Sequence, residues 1–151
     1  MKTRTKARAV ALQALYEYDL SGHPVSVILN NRFAEEKDID DKFKEFIQEI
    51  VFGVYPIISI LDNLISRHAP EWPLDQVASI DRNIIRIALW EFGVKKCTPV
   101  KVAINEAVEL GKLYGSDSTP RFVNGVLGSL VGQYDHYRHV LDKIYNEEET
   151  S

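Results

Sequence analysis

Residues Pro99 to Gly128 read PVKVAINEAVELGKLYGSDSTPRFVNGVLG, and this stretch decides the fold. It carries two helix starts with a loop between them. Thr98-Pro99 reads as an N-cap followed by the first helical position. Threonine accepts a hydrogen bond from a free amide, and proline lacks the amide that would otherwise go unpaired. Thr119-Pro120 repeats the device, and Gly115-Ser116-Asp117-Ser118 between the two is loop chemistry.

Working outward, helical spacing continues almost everywhere. Ala7, Ala11, Ala14, Leu15 and Tyr18 share one face of a first helix, which Ser21-Gly22-His23-Pro24 should end. Val25, Ile28, Leu29 and Phe33 mark a shorter second helix. Phe43, Phe46, Ile47, Ile50, Val51 and Val54 step by three and four after Asp38, Asp40 and Asp41, acids that suit a helix N-terminus. Pro56 should break or kink that helix, with Ile57, Leu61, Leu64 and Ile65 continuing beyond it. Ala69-Pro70-Glu71-Trp72-Pro73 is the best internal boundary. Ile80, Ile84, Ile87, Ala88 and Trp90 form the next helix. No alternating run or hairpin turn argues for strands. The expectation is an all-α bundle of about seven helices, in two three-helix subgroups sharing one core. A single domain spans residues 1–151, with a basic arm at 1–8 and a helical extension with an acidic tail at 133–151.

The chain has 151 residues, 45% hydrophobic and 26% charged, as suits one soluble globular domain. Its net charge of −4 is unevenly placed: Lys2, Arg4, Lys6 and Arg8 all precede the first acid, Glu17, while Glu147, Glu148 and Glu149 cluster at the other end. A phosphate meets the local field, so an acidic chain can still carry a basic site. The single cysteine, Cys97, excludes an internal disulfide and a cysteine-based zinc site. No run reads as a membrane span or signal peptide, so a cytoplasmic protein without a membrane partner is expected.

Catalytic readings find little support. His136 and His139 lack further ligands, and Asp38, Asp40 and Asp41 lack the glycine and closing glutamate of a calcium loop. No phosphate-binding glycine loop or nucleophile elbow occurs, and no base can be placed beside Cys97. Neither catalytic residues nor a cofactor or metal is expected.

Binding readings are better supported. Within the arm, Arg4 and Arg8 are four apart, as are Lys2 and Lys6, so a helix puts each pair on one side. Cations at a helix N-terminus oppose the macrodipole, and a bound phosphate reverses that penalty. The alternative is a solvated, frayed terminus. Lys101 lies in the first turn after Pro99, and Arg121 and Phe122 in the first turn after Pro120. If both starts face one anionic strand, cations on phosphates and a stacking Phe122 fit single-stranded RNA. The competing reading buries Phe122 with Val126 and Leu130. Asn105-Glu106 and Asn124-Gly125 read as structural, the asparagines bonding nearby backbone, although Asn124 is close enough to Phe122 to touch a ligand. Gly125, Gly128 and Gly132 are expected to permit close helix approach. Asp75, Asp81, Arg82 and Arg86 read as a solvated helix flank.

Two pieces, VAINEAVELGK (Val102 to Lys112) and RFVNGVLG (Arg121 to Gly128), closely resemble the signature of the NusB family, small all-helical factors of bacterial transcription antitermination. The resemblance covers roughly Thr3 to Val131. It implies binding of boxA-type single-stranded RNA from ribosomal RNA operons, together with NusE, a protein also found in the small ribosomal subunit. It further implies assembly with NusA, NusG and RNA polymerase. It places RNA at the arm (Lys2, Arg4, Lys6, Arg8) and at Tyr16, Lys101, Arg121, Phe122 and Asn124. It places the NusE docking surface at Asp81 and Arg82, with Asp75 nearby. The arm alternates where adjacent arginines are common in the family. Two alternatives stand beside this reading. One is the NusB-like front domain of a ribosomal-RNA cytosine methyltransferase, which would need a cofactor-binding domain beyond these residues. The other is a protein-interaction adaptor without RNA binding.

Overall fold

A computed structural model describes residues 3–36, 39–70 and 77–150. Lys2, Asp38 and Asp75 lie outside the described residues. Eight α-helices occur among the described residues, and no strand. They are α1 (Thr3–Ser21), α2 (Val25–Glu35), α3 (Asp41–Val54), α4 (Ile58–His68), α5 (Ser79–Leu89), α6 (Val100–Tyr114), α7 (Thr119–Gly132) and α8 (Tyr134–Thr150).

The amphipathic pattern explains the outer helices. In α3 the residues at helical spacing, Phe43, Phe46, Ile47, Ile50, Val51 and Val54, are all buried. Asp40 caps this helix by accepting the Phe43 amide at 2.8 Å. A 3₁₀ turn at Tyr55–Ile57 absorbs Pro56 and leads into α4. Gly22 ends α1 with φ +72°, a left-handed conformation that glycine adopts without steric cost.

Helix α5 is different. Asn83, Ile84, Ile85, Arg86, Ile87, Ala88 and Leu89 are all buried, so beyond its half-buried first turn it is enclosed on every side. It is the central helix. α1, α2 and α3 pack as one group, α6 and α7 pack on α5 as the other, and α1 against α5 joins them. One contiguous core runs through both groups.

A π-helical segment, Trp90–Lys95, continues α5 and ends at Lys96 in the left-handed region, φ 56°. Such insertions rotate the facing of the residues beyond them. Here Trp90, Glu91, Phe92 and Val94 are all interior. The Trp90 indole lies against Gly53 of α3, where any Cβ would fall well inside contact distance of the ring.

The region after Gly132 forms its own helix. α8 packs back on the π segment through Tyr137 and Leu141, both fully buried, and Tyr137 donates to the Leu130 carbonyl at 2.6 Å. Lys96 is held there by an ion pair with Asp142 and by the ring of Tyr145, 5.2 Å from its Nζ.

Two expectations are corrected here. The helical run Asp41–His68, 28 residues long, is long and apolar enough by composition to cross a bilayer. Its residues Phe43 to Val54 at helical spacing, with Leu61, Leu64 and Ile65, nonetheless supply the core. Gly128 and Gly132 do not serve close helix approach, because a Cβ on either meets nothing within 4 Å. Gly53, Gly111 and Gly115 do: a Cβ on Gly111 would lie 3.1 Å from the Thr119 methyl, and one on Gly115 would overlap the Thr119 side chain.

Candidate nucleic-acid interface

The opening stretch folds as a helical pair. Helix α6 runs to Tyr114, turns through Gly115–Ser118, and α7 returns along it. The two threonines do not cap. Thr98 Oγ1 donates to Glu91 Oε1 at 2.8 Å. Thr119 is itself the first helical residue, with Pro120 second, and its hydroxyl donates to Asp81 Oδ1 while accepting the Ser116 amide, both at 2.9 Å. Both hydroxyls are buried and find tertiary partners, which satisfies them better than a local cap would.

This hairpin corrects a further expectation. The two helix starts lie toward opposite ends of α6, because Pro120 packs against Gly111, ten residues after Lys101. What they share is a seam. An open depression of about 540 Å³ runs between the helices, lined on α6 by Asn105, Val108, Glu109 and Lys112 and on α7 by Pro120, Arg121 and Asn124. Lys101 is exposed one turn before Asn105 on the same side of α6. Lys112 is paired to Glu109 at 3.1 Å. Lys101 and Arg121 are exposed and make no ion pair among the described residues. Asn105 and Asn124, expected to bond backbone inside the bundle, are instead exposed at this seam. Phe122 is half-buried against the core, while Val126 and Leu130 on its face are fully buried.

The arm is the first turn and a half of α1. Arg4 and Lys6 are exposed. The Arg4 guanidinium lies over the Phe46 ring, 4.3 Å from its centroid. Arg8, expected on the same binding face, is only 4% exposed. Its Nε donates to both Glu91 oxygens at 3.1 and 2.9 Å, and its terminal nitrogen donates to Oε1 at 2.8 Å. A further terminal nitrogen is 3.5 Å from Glu106 Oε2, which also accepts from Thr5 Oγ1 at 2.9 Å. Arg8 is an interior anchor and not a surface cation. Sequence reasoning missed this pair, although Glu91 in the apolar run Ile84 to Val94 carried a signal: a buried acid needs a buried cation. Tyr16 is half-buried on α1, twelve residues from Arg4, or about 18 Å along the axis, so it is not gathered with the arm.

Asp81 and Arg82 are half-buried at the start of α5. Asp81 takes the Thr119 hydroxyl, and Arg82 is 3.6 Å from Asp19 of α1. Asp19 also accepts from Ser79 and Asn83 at 2.9 Å and pairs with Arg86 at 3.1 Å. Arg86, expected on a solvated flank, is buried and held bidentately by Asp62 at 2.8 and 2.6 Å. Burial disfavours its charge, but the bonds and charges of Asp62 and then Asp19 outweigh that and raise its pKa.

Cations and amides thus line an open seam on the surface of a small protein that is all-helical among its described residues. The chain belongs to the NusB family, whose model matches residues 5–131. The transcription antitermination protein NusB of Roseiflexus castenholzii is 44% identical over 133 residues, 87% of this chain and 93% of that protein. That of Bacillus subtilis is 41% identical over 130 residues, 86% and 95% of the two chains. T. maritima NusB superposes with a TM-score of 0.79 at 32% identity, over 88% of this chain and 94% of that one. A chain from a crystal structure of antitermination factors NusB and NusE in complex with dsRNA is also similar. It gives a TM-score of 0.78 at 25% identity, over 86% and 96%.

Proposed function

We propose that this chain is a transcription antitermination factor that binds boxA-type single-stranded RNA together with NusE, acting in an assembly with NusA, NusG and RNA polymerase. The observation that carries the reading is the α6–α7 seam, where Asn105, Arg121 and Asn124 line one open depression with Lys101 a turn away. The relatives' description as antitermination proteins, and a similar structure of NusB and NusE in complex with dsRNA, support the antitermination role and the RNA and NusE partners.

In this reading Lys101 and Arg121 neutralise phosphates along the seam, and Arg4 and Lys6 do so from the arm, with Lys2 ahead of them. Phe122 stacks on a splayed base, and Asn124 and Asn105 bond base edges. Tyr16 extends the RNA contact along α1, and Asp81 and Arg82, with Asp75 a few residues earlier in the sequence, carry the surface on which NusE docks. The mechanism is binding: the protein holds a strand and a partner in one geometry, and NusE adds contact area.

The test is fluorescence anisotropy with a boxA-like RNA oligomer, with and without NusE, across a salt series. Each neutralised phosphate contributes about −0.7 to the slope of log affinity against log salt. The expected slope is steeper than about −2, and an Arg4/Lys6/Lys101/Arg121 quadruple alanine variant should flatten it. Absence of binding in both conditions, or equal binding by the variant, overturns the reading.

A further inference from the structure

Glu106 presents an electrostatic puzzle. It is an acid on α6, next to Asn105 of the RNA seam, on a surface proposed to attract phosphate. A carboxylate there should repel RNA. Its contacts point elsewhere. Oε2 accepts from Thr5 Oγ1 at 2.9 Å and lies 3.5 Å from Arg8, and the carboxylate is only 20% exposed. Neighbouring residues on a helix diverge by about 100°, so Glu106 faces α1 while Asn105 faces the seam.

Thr5 sits between the two exposed arm cations, Arg4 and Lys6. Arg8, one turn on, is locked to Glu91, which also takes the Thr98 hydroxyl just before α6. Arg4 in turn rests on Phe46 of α3. The first turn of an isolated helix frays, because its amides lack partners and its cations oppose the macrodipole. Here that turn is tied to α6 by the Thr5–Glu106 hydrogen bond.

We propose that Glu106 is a positioning residue for RNA binding: through Thr5 and Arg8 it fixes the register of the arm against α6, and so the spacing between the arm cations and the Lys101–Arg121 seam. This rests on the RNA-binding reading above. Preorganised cations engage one strand together without first ordering a frayed turn.

The inference predicts a sign that simple charge counting reverses. Glu106→Ala removes a negative charge yet weakens RNA binding about five-fold or more. Thr5→Val changes no charge and does the same, whereas Thr5→Ser, which keeps the hydroxyl, retains wild-type affinity. In Thr5→Val the salt slope should flatten by about 0.7, the loss of one phosphate contact. A purely structural role would leave that slope alone. Hydrogen exchange of the amides of residues 3–8 in the free protein supplies a readout independent of RNA: it should accelerate in Thr5→Val and Glu106→Ala and not in Thr5→Ser. Unchanged exchange, or unchanged or tighter RNA binding by Glu106→Ala with Arg4→Ala still impaired, overturns the role of Glu106 alone. Absence of RNA binding by the wild-type protein overturns the RNA-binding reading and this role with it, whatever the exchange shows.

Discussion

The Thr119 hydroxyl donates to Asp81 Oδ1 at 2.9 Å, joining the first residue of α7 to the first turn of α5. Thr119 is fully buried, and the same oxygen accepts the Ser116 amide. One side chain therefore fixes the α6–α7 turn and the start of the helix bearing Arg121, Phe122 and Asn124. Thr119→Val keeps the shape but leaves the Ser116 amide and the Asp81 carboxylate short of a partner. A loss of ~1–3 kcal/mol is expected by urea denaturation, with Thr119→Ser close to wild type. A neutral valine variant would mean that water replaces the hydroxyl at no cost.

The Arg8–Glu91 pair is buried on both sides, at 4% and 1% exposure. Truncating one member strands the other charge in the core. Arg8→Ala or Glu91→Ala should each cost ~3–5 kcal/mol, and a double Arg8→Met/Glu91→Leu variant should recover most of that. Denaturant midpoints of the three variants decide it. Single variants losing under ~1 kcal/mol would show that water reaches the pair.

Two glycines separate close packing from mere helix interruption. At Gly53 a Cβ would overlap the Trp90 indole, whose Nε1 is buried with no hydrogen-bond partner among the described residues. Gly53→Ala should therefore lower stability by ~1–3 kcal/mol as the ring is displaced. At Gly128 a Cβ meets nothing within 4 Å, and Gly128→Ala should raise stability by ~0.5–1 kcal/mol through helix propensity. Thermal melts of the pair should move in opposite directions.

The contrast marks what periodicity conveys. The α3 core residues were legible because six apolar positions repeat at helical spacing behind a capping aspartate. The same reasoning could not separate Arg4 from Arg8: four residues apart, they share a side, and only the tertiary position of Glu91 makes one a surface cation and the other an anchor. Thr98 and Thr119 sit where caps belong, yet a hydroxyl takes the best acceptor that folding brings, and Glu91 and Asp81 come from α5 and its π-helical continuation. The hairpin also set the two helix starts apart, so the seam residues Asn105 and Asn124 meet only because α7 lies along α6. Arg86 was missed for a related reason, since its partners Asp19 and Asp62 come from α1 and α4.

Burial, and then the nearby Tyr134 phenol, push the Tyr137 pKa far above its ordinary value. That value is about 10 in an unfolded chain. At higher pH the unfolded chain releases this proton while the folded one keeps it. The unfolded state then binds fewer protons, so the contribution of Tyr137 is complete below pH ~10 and is lost as pH rises through the folded pKa. Stability measured from pH 9 to 11 should fall, and Tyr137→Phe should fall less steeply. At neutral pH that variant loses ~1 kcal/mol, because the Leu130 carbonyl still accepts the Gln133 amide at 3.2 Å.

Phe122 is only partly buried against the core, and its two expected roles, packing and stacking, are separable. A fully buried phenylalanine costs ~3–5 kcal/mol of stability on truncation to alanine, whereas a base-stacking ring costs ~1–3 kcal/mol of RNA affinity. Phe122 packs partly on the core beside fully buried Val123 and Val126. Phe122→Ala should therefore lower stability by less than the full core penalty, about 1–2 kcal/mol, and reduce RNA affinity roughly ten-fold. Phe122→Leu sharpens the comparison. It keeps much of the apolar contact with the core but has no π face, so it should restore stability and leave RNA binding impaired. Anisotropy and denaturation on the same preparations read both quantities. If leucine restores affinity along with stability, Phe122 serves RNA only by supporting the α7 turn, and Arg121 and Asn124 hold the strand without a stacking platform.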